Sequence, residues 1–368
     1  MVPLSGSPGW IETGLDLAVL AALILPFGAY MADVFRNRKT FLSPVLEPVE
    51  NGILRLAGVN PGRGMDWRTY ALSALVFSSL VFLALYAILA AGGLSADRAF
   101  ILAAQLVADP ANLSAAPMQA ATIAAFISAG TGLAVFVAMV RGLTGLRAGN
   151  FWADLLRTEL RVLLPVSLAF AALVATGGAG EALEAFGRLH VTDTAPHLPS
   201  IPREAAALIA TPSGAAVNAA AAPAAATVST RLLSLLSRAL MPLALSHSFG
   251  LMTGEKRQGL LMLGATGLVL LTGHTAGPAL SCGLVAVFML AAAVISRVRR
   301  GRAVYLGRRL GRYEITMAAT CLGLIAVAPL AALVPALSLF ALPARVWTLI
   351  PALAFAGSLS ARPAGAEA

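Results

Sequence analysis

Nine apolar runs of spanning or near-spanning length follow one another along the chain, at about residues 15–31, 70–91, 120–140, 159–176, 231–250, 260–276, 279–296, 315–335 and 343–359. A bilayer core about 30 Å thick is crossed by roughly 20 residues of helix, and lipid-facing backbone must satisfy its own hydrogen bonds. Each run is therefore predicted to be a helix. Composition points the same way: 12% of the residues are charged and 58% are apolar, whereas about 25% would be charged in a soluble protein. A mean hydropathy of +0.83 over 368 residues is more than one water-facing core can hide. The expectation is an all-α polytopic membrane protein, one integral-membrane domain over residues 1–368 with about nine transmembrane helices.

The formal net charge of +9 does not imply a nucleic-acid partner, because the arginines occupy short loops between apolar runs and form no continuous face. They report orientation instead. With the N-terminus outside, the segments 32–69, 141–158, 251–259 and 297–314 fall on one side and carry most of the Arg and Lys, while Asp97, Asp109, Glu181, Glu184, Asp193 and Glu204 fall on the other. The positive-inside rule then places the N-terminus outside and the C-terminus in the cytoplasm of a multi-pass membrane protein. The first run is followed by Arg36, Arg38 and Lys39 and preceded by no basic segment, which reads as a retained helix and not as a cleaved signal peptide.

Two segments on the acidic side are more than connections. Residues 98–107 (RAFILAAQLV) and 203–210 (REAAALIA) are helical stretches too brief to cross, each followed by a Pro-, Gly- or Asn-bearing turn and then a full span. Helix, re-entrant half-helix, helix is the unit of an ion-channel pore. Interfacial amphipathic loops are the competing reading.

Four stretches carry a resemblance: VNPGRGMDWRTYALSALVFSSLVFLALY (59–86), GNFWADLLRTELRVLLPVSLAFAAL (149–173), HSFGLMTGEKRQGLLML (247–263) and RGRAVYLGRRLGRYEITMAA (300–319). In this order they resemble the KdpA family, the potassium-translocating subunit of the bacterial Kdp P-type ATPase. The resemblance implies a leading helix (15–35) and four potassium-channel-like repeats of helix, pore half-helix and helix about a pseudo-fourfold axis, here at 70–140, 159–250, 260–296 and 315–360. It also implies K+ as the transported ion and three partners: a P-type ATPase catalytic subunit (KdpB-like), a KdpC-like subunit and a short KdpF-like peptide. The sequence holds neither DKTGT nor GxxxxGK[ST], so ATP chemistry is expected on a partner.

Filter loops cage dehydrated potassium with backbone carbonyls that glycine-permissive geometry aims inward. Against the family pattern these loops are eroded. The first is represented by ADPANLSA (108–115), where Pro110 fixes φ and removes a donor. The second, ATPSGAAVNAAA (210–221), keeps Thr211, Gly214 and Asn218, while Ser213, Ala215, Ala216 and Val217 replace glycines and aromatics. The resemblance makes Thr211, Gly214 and Asn218 the candidate K+ site, against the alternative of a vestigial turn in an Ala-rich tract. The third and fourth pore loops are expected to be missing, which truncates repeats three and four. Two functions stay open: a potassium-binding subunit of an ATP-driven importer, and a degenerate, non-conducting homologue serving as scaffold or assembly partner.

No other constellation carries chemistry. Cys282 and Cys321 have no metal or disulfide spacing, and His190, His197, His247 and His274 form no ligand set. Glu159 and Arg161, at the start of the fourth run, suit snorkelling or interhelical pairing. The seven-arginine segment 297–314 suits a positive-inside anchor or a docking surface for a cytosolic partner or anionic lipid. GEKRQG (254–259) reads as a tight turn between antiparallel helices. No catalytic site and no bound cofactor is expected within the chain.

Overall fold

The computed structural model describes residues 10–108, 118–169, 228–271, 278–333 and 349–360. Helices run from Trp10–Phe35 (α1), Ser43–Leu56 (α2), Trp67–Ala91 (α3), Ala96–Ala108 (α4), Met118–Leu143 (α5) and Phe151–Thr158 (α6). A π turn, Glu159–Leu163, carries α6 onward to residue 169. Then come α7 (Val228–Thr253), α8 (Lys256–Leu271), α9 (Pro278–Arg300), α10 (Arg312–Leu333) and α11 (Leu349–Ser360). Among the described residues four stretches are long and apolar enough to cross a membrane, Gly14–Phe35, Trp67–Ala91, Phe126–Leu143 and Ser281–Arg300. The protein is an all-α polytopic membrane protein.

α5 is the hub. Its spanning stretch is 72% buried, against 17% for that of α3, because α3, α4, α6, α9 and α11 all pack on it. The largest apolar cluster joins Met31 and Phe35 of α1, Phe136 and Met139 of α5, Phe249 of α7, Met289 of α9 and Phe355 of α11. A second joins Tyr70 of α3 to Phe151 of α6 through edge-on rings 5.4 Å apart, and a third packs α4 between α3 and α5. The outer faces of α1 and α3 instead present Leu17, Leu25, Leu72, Leu80 and Leu83 outward, as lipid-facing helices do.

Three segments read from sequence as connections have structure of their own. Within 32–69 lies α2, within 141–158 the first two turns of α6, and within 297–314 a two-residue hairpin pairing Val304 with Arg309 and Tyr305 with Arg308. Hydropathy selects helices buried on all sides and passes over amphipathic ones that bury a polar face. In the hairpin Arg308 donates to the Leu359 carbonyl at 2.6 Å, so one arginine of that basic segment ties the fold together. The GEKRQG segment forms the turn between α7 and α8. There Gly254 has φ +79°, and a β-carbon on Gly250 would meet the Gly259 backbone at 2.8 Å, so only glycine lets the two helices close.

The short stretch 98–107 is the core of α4. The stretch 203–210, all four segments expected to carry or lack pore loops, and hence the missing third and fourth loops, lie outside the described residues.

Candidate functional site

Thr211, Gly214 and Asn218 also lie outside the described residues. What the described helices build is a buried polar cluster at the ends of α1, α3 and α5, on the side of the arginine-bearing loops.

Its frame is set by Gly149 and Asn150. Gly149 has φ +97°, and a β-carbon there would strike the Arg141 guanidinium, so the chain can reverse from α5 into α6 only with glycine. Its carbonyl accepts the Met65 N–H at 2.6 Å. Asn150 then caps α6: its Oδ1 accepts from the N–H groups of Trp152 at 3.1 Å and Ala153 at 3.4 Å. Its Nδ2 donates to the carbonyls of Asn60 at 3.2 Å and Arg63 at 3.4 Å. One side chain thus starts a helix and fixes the loop that enters α3.

Asp154, Arg157 and Arg161 follow along α6 at spacings of three and four, which bring them to neighbouring positions on one flank. Asp154 Oδ2 accepts from Arg141 Nη1 at 2.7 Å and lies 3.2 Å from Tyr70 Oη, which also donates to the Ala134 carbonyl at 2.8 Å. Arg141 reaches on to the Phe35 carbonyl at 2.9 Å, joining the end of α1. Burial pushes the Asp154 carboxyl above the usual carboxylate range, and the Arg141 guanidinium opposes that rise.

Glu50 of α2 takes the other two arginines. Arg157 donates to its Oε1 at 2.9 and 3.2 Å, and Arg161 Nε to its Oε2 at 2.6 Å. Side chains of Glu50 and Arg161 are 2% and 4% exposed, so each charge has left water and is held by its partner. A cavity of about 480 Å³ opens beside the cluster, with Arg36, Arg141, Arg157 and Arg161 facing Glu47, Glu50 and Asp154 across its walls.

Both carboxylates of this cluster, Glu50 and Asp154, are engaged by guanidinium groups, which leaves neither as a bare cation ligand. Among the described residues no group of three or more His, Cys, Asp or Glu is placed to hold a metal ion. The arrangement is a clamp that locks α2 and the entry to α3 onto α5 and α6. Arg161 is paired across helices, as its position in sequence suggested. Glu159 is not: both carboxyl oxygens are buried without a hydrogen-bond partner among the described residues, against Gly130 of α5, where any side chain would collide. Two residues apart on one helix, Glu159 and Arg161 point to different sides. Cys282 and Cys321 are both buried, and neither is in a disulfide.

Sequence reasoning missed Glu50 because it sat in a presumed loop. The usable signal was SPVLEPVENGILRL, whose apolar residues recur at helical spacing with Glu50 opposite them.

Residues 15–98 and 105–282 match the family described as KdpA, Potassium-transporting ATPase A subunit. The chain belongs to the KdpA family. Relatives named "Potassium-transporting ATPase potassium-binding subunit" include that of Allorhizobium ampelinum, 32% identical over 302 residues, or 73% of this chain and 52% of the relative. That of Geobacter metallireducens is 33% identical over 308 residues, 69% of this chain and 52% of the relative. That of Sorangium cellulosum is 34% identical over 295 residues, 70% and 51%. The chain spans about half the length of these KdpA relatives. The matched stretches include the whole ion-pair cluster and the segment holding Thr211, Gly214 and Asn218.

Proposed function

We propose that this chain is a potassium-binding subunit of an ATP-driven K+ importer in a bacterial inner membrane, with its arginine-bearing loops in the cytoplasm. The observation that carries the reading is the KdpA match over residues 15–98 and 105–282, which is collinear with helices packed around α5. In this reading ATP is hydrolysed by a separate P-type catalytic subunit (KdpB-like), with KdpC-like and KdpF-like subunits completing the complex. Thr211 and Gly214 supply backbone carbonyls to K+, and Asn218 braces their loop. Carbonyl dipoles replacing a hydration shell select an ion without any buried charge, which suits a family member in which Glu50 and Asp154, the carboxylates of the buried cluster, are committed to arginines. The buried clamp has a structural part: it holds α5 and α6 in register at the base of the second repeat.

Growth of a potassium-uptake-deficient bacterium at micromolar K+, with this chain expressed beside intact catalytic, KdpC-like and KdpF-like subunits, tests the proposal. Rescue is the expected result, and Gly214→Val should abolish it while leaving membrane insertion intact. Failure of the unsubstituted chain despite confirmed insertion and assembly with the catalytic subunit would overturn conduction and leave the scaffold reading, which the substitutions at Ser213, Ala215, Ala216 and Val217 favour.

A further inference from the structure

α2 is built inside out. Its polar positions Ser43 and Glu50 are buried, together with Leu54, on the side packed against α6 and the π turn, whereas Val45, Val49, Ile53 and Leu56 are 69%, 48%, 42% and 90% exposed, and Phe41 just before the helix is 77% exposed. Their spacing of four, four and three, continued back by four to Phe41, draws one straight stripe, opposite the face that carries Glu50. A helix on a water-facing surface would carry the reverse pattern. The location supplies the explanation. α2 joins the end of one spanning helix, α1, to the start of another, α3, and both ends lie on the same side, so α2 must lie at the membrane boundary. Basic residues lie toward both ends of the stripe in sequence: Arg38 and Lys39 before Phe41, Arg55 in the last turn and Arg63 beyond it, all exposed, with Arg38 3.5 Å from Asp33. Glu50 is turned inward to its arginines, and Glu47 lines the cavity.

We infer that α2 is a membrane-surface helix whose outward apolar stripe sits in the acyl boundary of an anionic bilayer, with Arg38, Lys39 and Arg55 at the lipid headgroups. Apolar area drives the insertion, and the basic flank adds attraction for negative headgroups. The same helix carries Glu50, so the lipid contact bears directly on the buried cluster: the bilayer presses the outer face while Arg157 and Arg161 hold the inner one. This reading is independent of ion conduction.

The test uses the full chain in phosphatidylcholine vesicles with and without phosphatidylglycerol, with a bimane label on Val49→Cys, Ile53→Cys or, as flank, Arg55→Cys. The unsubstituted chain, whose two thiols are buried, supplies the blank. Brominated acyl chains should quench the labels at 49 and 53 at least about twofold more than at 55, while aqueous iodide shows the opposite order. Quenching at 49 and 53 should strengthen when phosphatidylglycerol is present, and that increment should vanish in the combined Arg38→Gln, Lys39→Gln, Arg55→Gln variant. Iodide reaching 49 and 53 as freely as 55 would overturn the inference. Protection of those labels from both quenchers would also overturn it, because a protein surface, such as a second copy of this chain, would then be the occupant. An increment that survives the triple variant would remove the anionic part of the claim.

Discussion

Replacing Glu50 with glutamine keeps the side-chain shape and removes the charge that two buried arginines share. The amide oxygen can still accept from one guanidinium, but the amide N–H₂ then faces the other, donor against donor. Arg161 loses its only acidic partner among the described residues, and Arg157 keeps Asp154 at 3.9 Å. Breaking a buried pair by removing one partner costs about 3–5 kcal/mol, because an uncompensated charge stays out of water. That corresponds to roughly a 10²- to 10⁴-fold fall in the folding equilibrium constant. The assay is reversible unfolding in mixed dodecyl maltoside and dodecyl sulfate micelles, followed by far-ultraviolet circular dichroism. Asp33→Asn is the control: its pair with Arg38 spans 3.5 Å between side chains 43% and 63% exposed, and its loss should cost no more than about 0.5 kcal/mol. Combining Glu50→Met with Arg157→Met and Arg161→Met should recover most of the loss, since an apolar replacement leaves no stranded charge. A Glu50→Gln cost below about 1 kcal/mol, or no difference from Asp33→Asn, would refute the reasoning.

Asn150→Ala should destabilise the fold by about 1 kcal/mol through the lost cap alone, and more if the bonds to Asn60 and Arg63 matter; the same micelle titration reads it. Gly149→Ala should cost more, at least about 2 kcal/mol, because it adds a left-handed strain to a collision with Arg141; a neutral result would contradict the turn geometry. Gly250→Leu should pry α7 from α8 and lower the thermal midpoint in detergent, while Gly264→Ala, with open space around it, should leave it within about 0.5 kcal/mol. Glu159→Gln should be neutral or stabilising, in contrast to Glu50→Gln, since no cation among the described residues depends on that carboxylate; a loss above about 1 kcal/mol would reveal a partner.

The contrast between α2 and α3 shows what hydropathy conveys. α3 is a run of 25 residues in which Arg68 is the only charged side chain, and any chain with such a run must bury it in lipid or protein. α2 carries two prolines, two glutamates and an arginine in 14 residues, so its average resembles a loop. Its helicity shows only in the spacing of Val45, Val49, Ile53 and Leu56. The cluster was half legible. Arg161 was recognisable as a side chain needing a partner across helices, because a guanidinium near a span cannot be left bare. Its partner was not recognisable, since Glu50 lies 111 residues away and only folding brings the two together. Glu159, only two residues from Arg161 in sequence, is close along the chain but on another side of the helix.

The sequence by itself determined the class of the molecule, since backbone in hydrocarbon has few ways to satisfy its hydrogen bonds and long apolar runs admit only helices. It determined the family as well, because the collinear stretches at 59–86, 149–173 and 247–263 are local strings that survive without knowledge of their packing. Tertiary structure alone decided which charges meet: that Asp154 takes Arg141, that Glu50 takes Arg157 and Arg161, and that Glu159 faces Gly130 instead. The physical reason is range. Hydropathy and turn chemistry act between neighbours along the chain, whereas the energy of a buried charge depends on whatever side chain lies within a few ångströms in space.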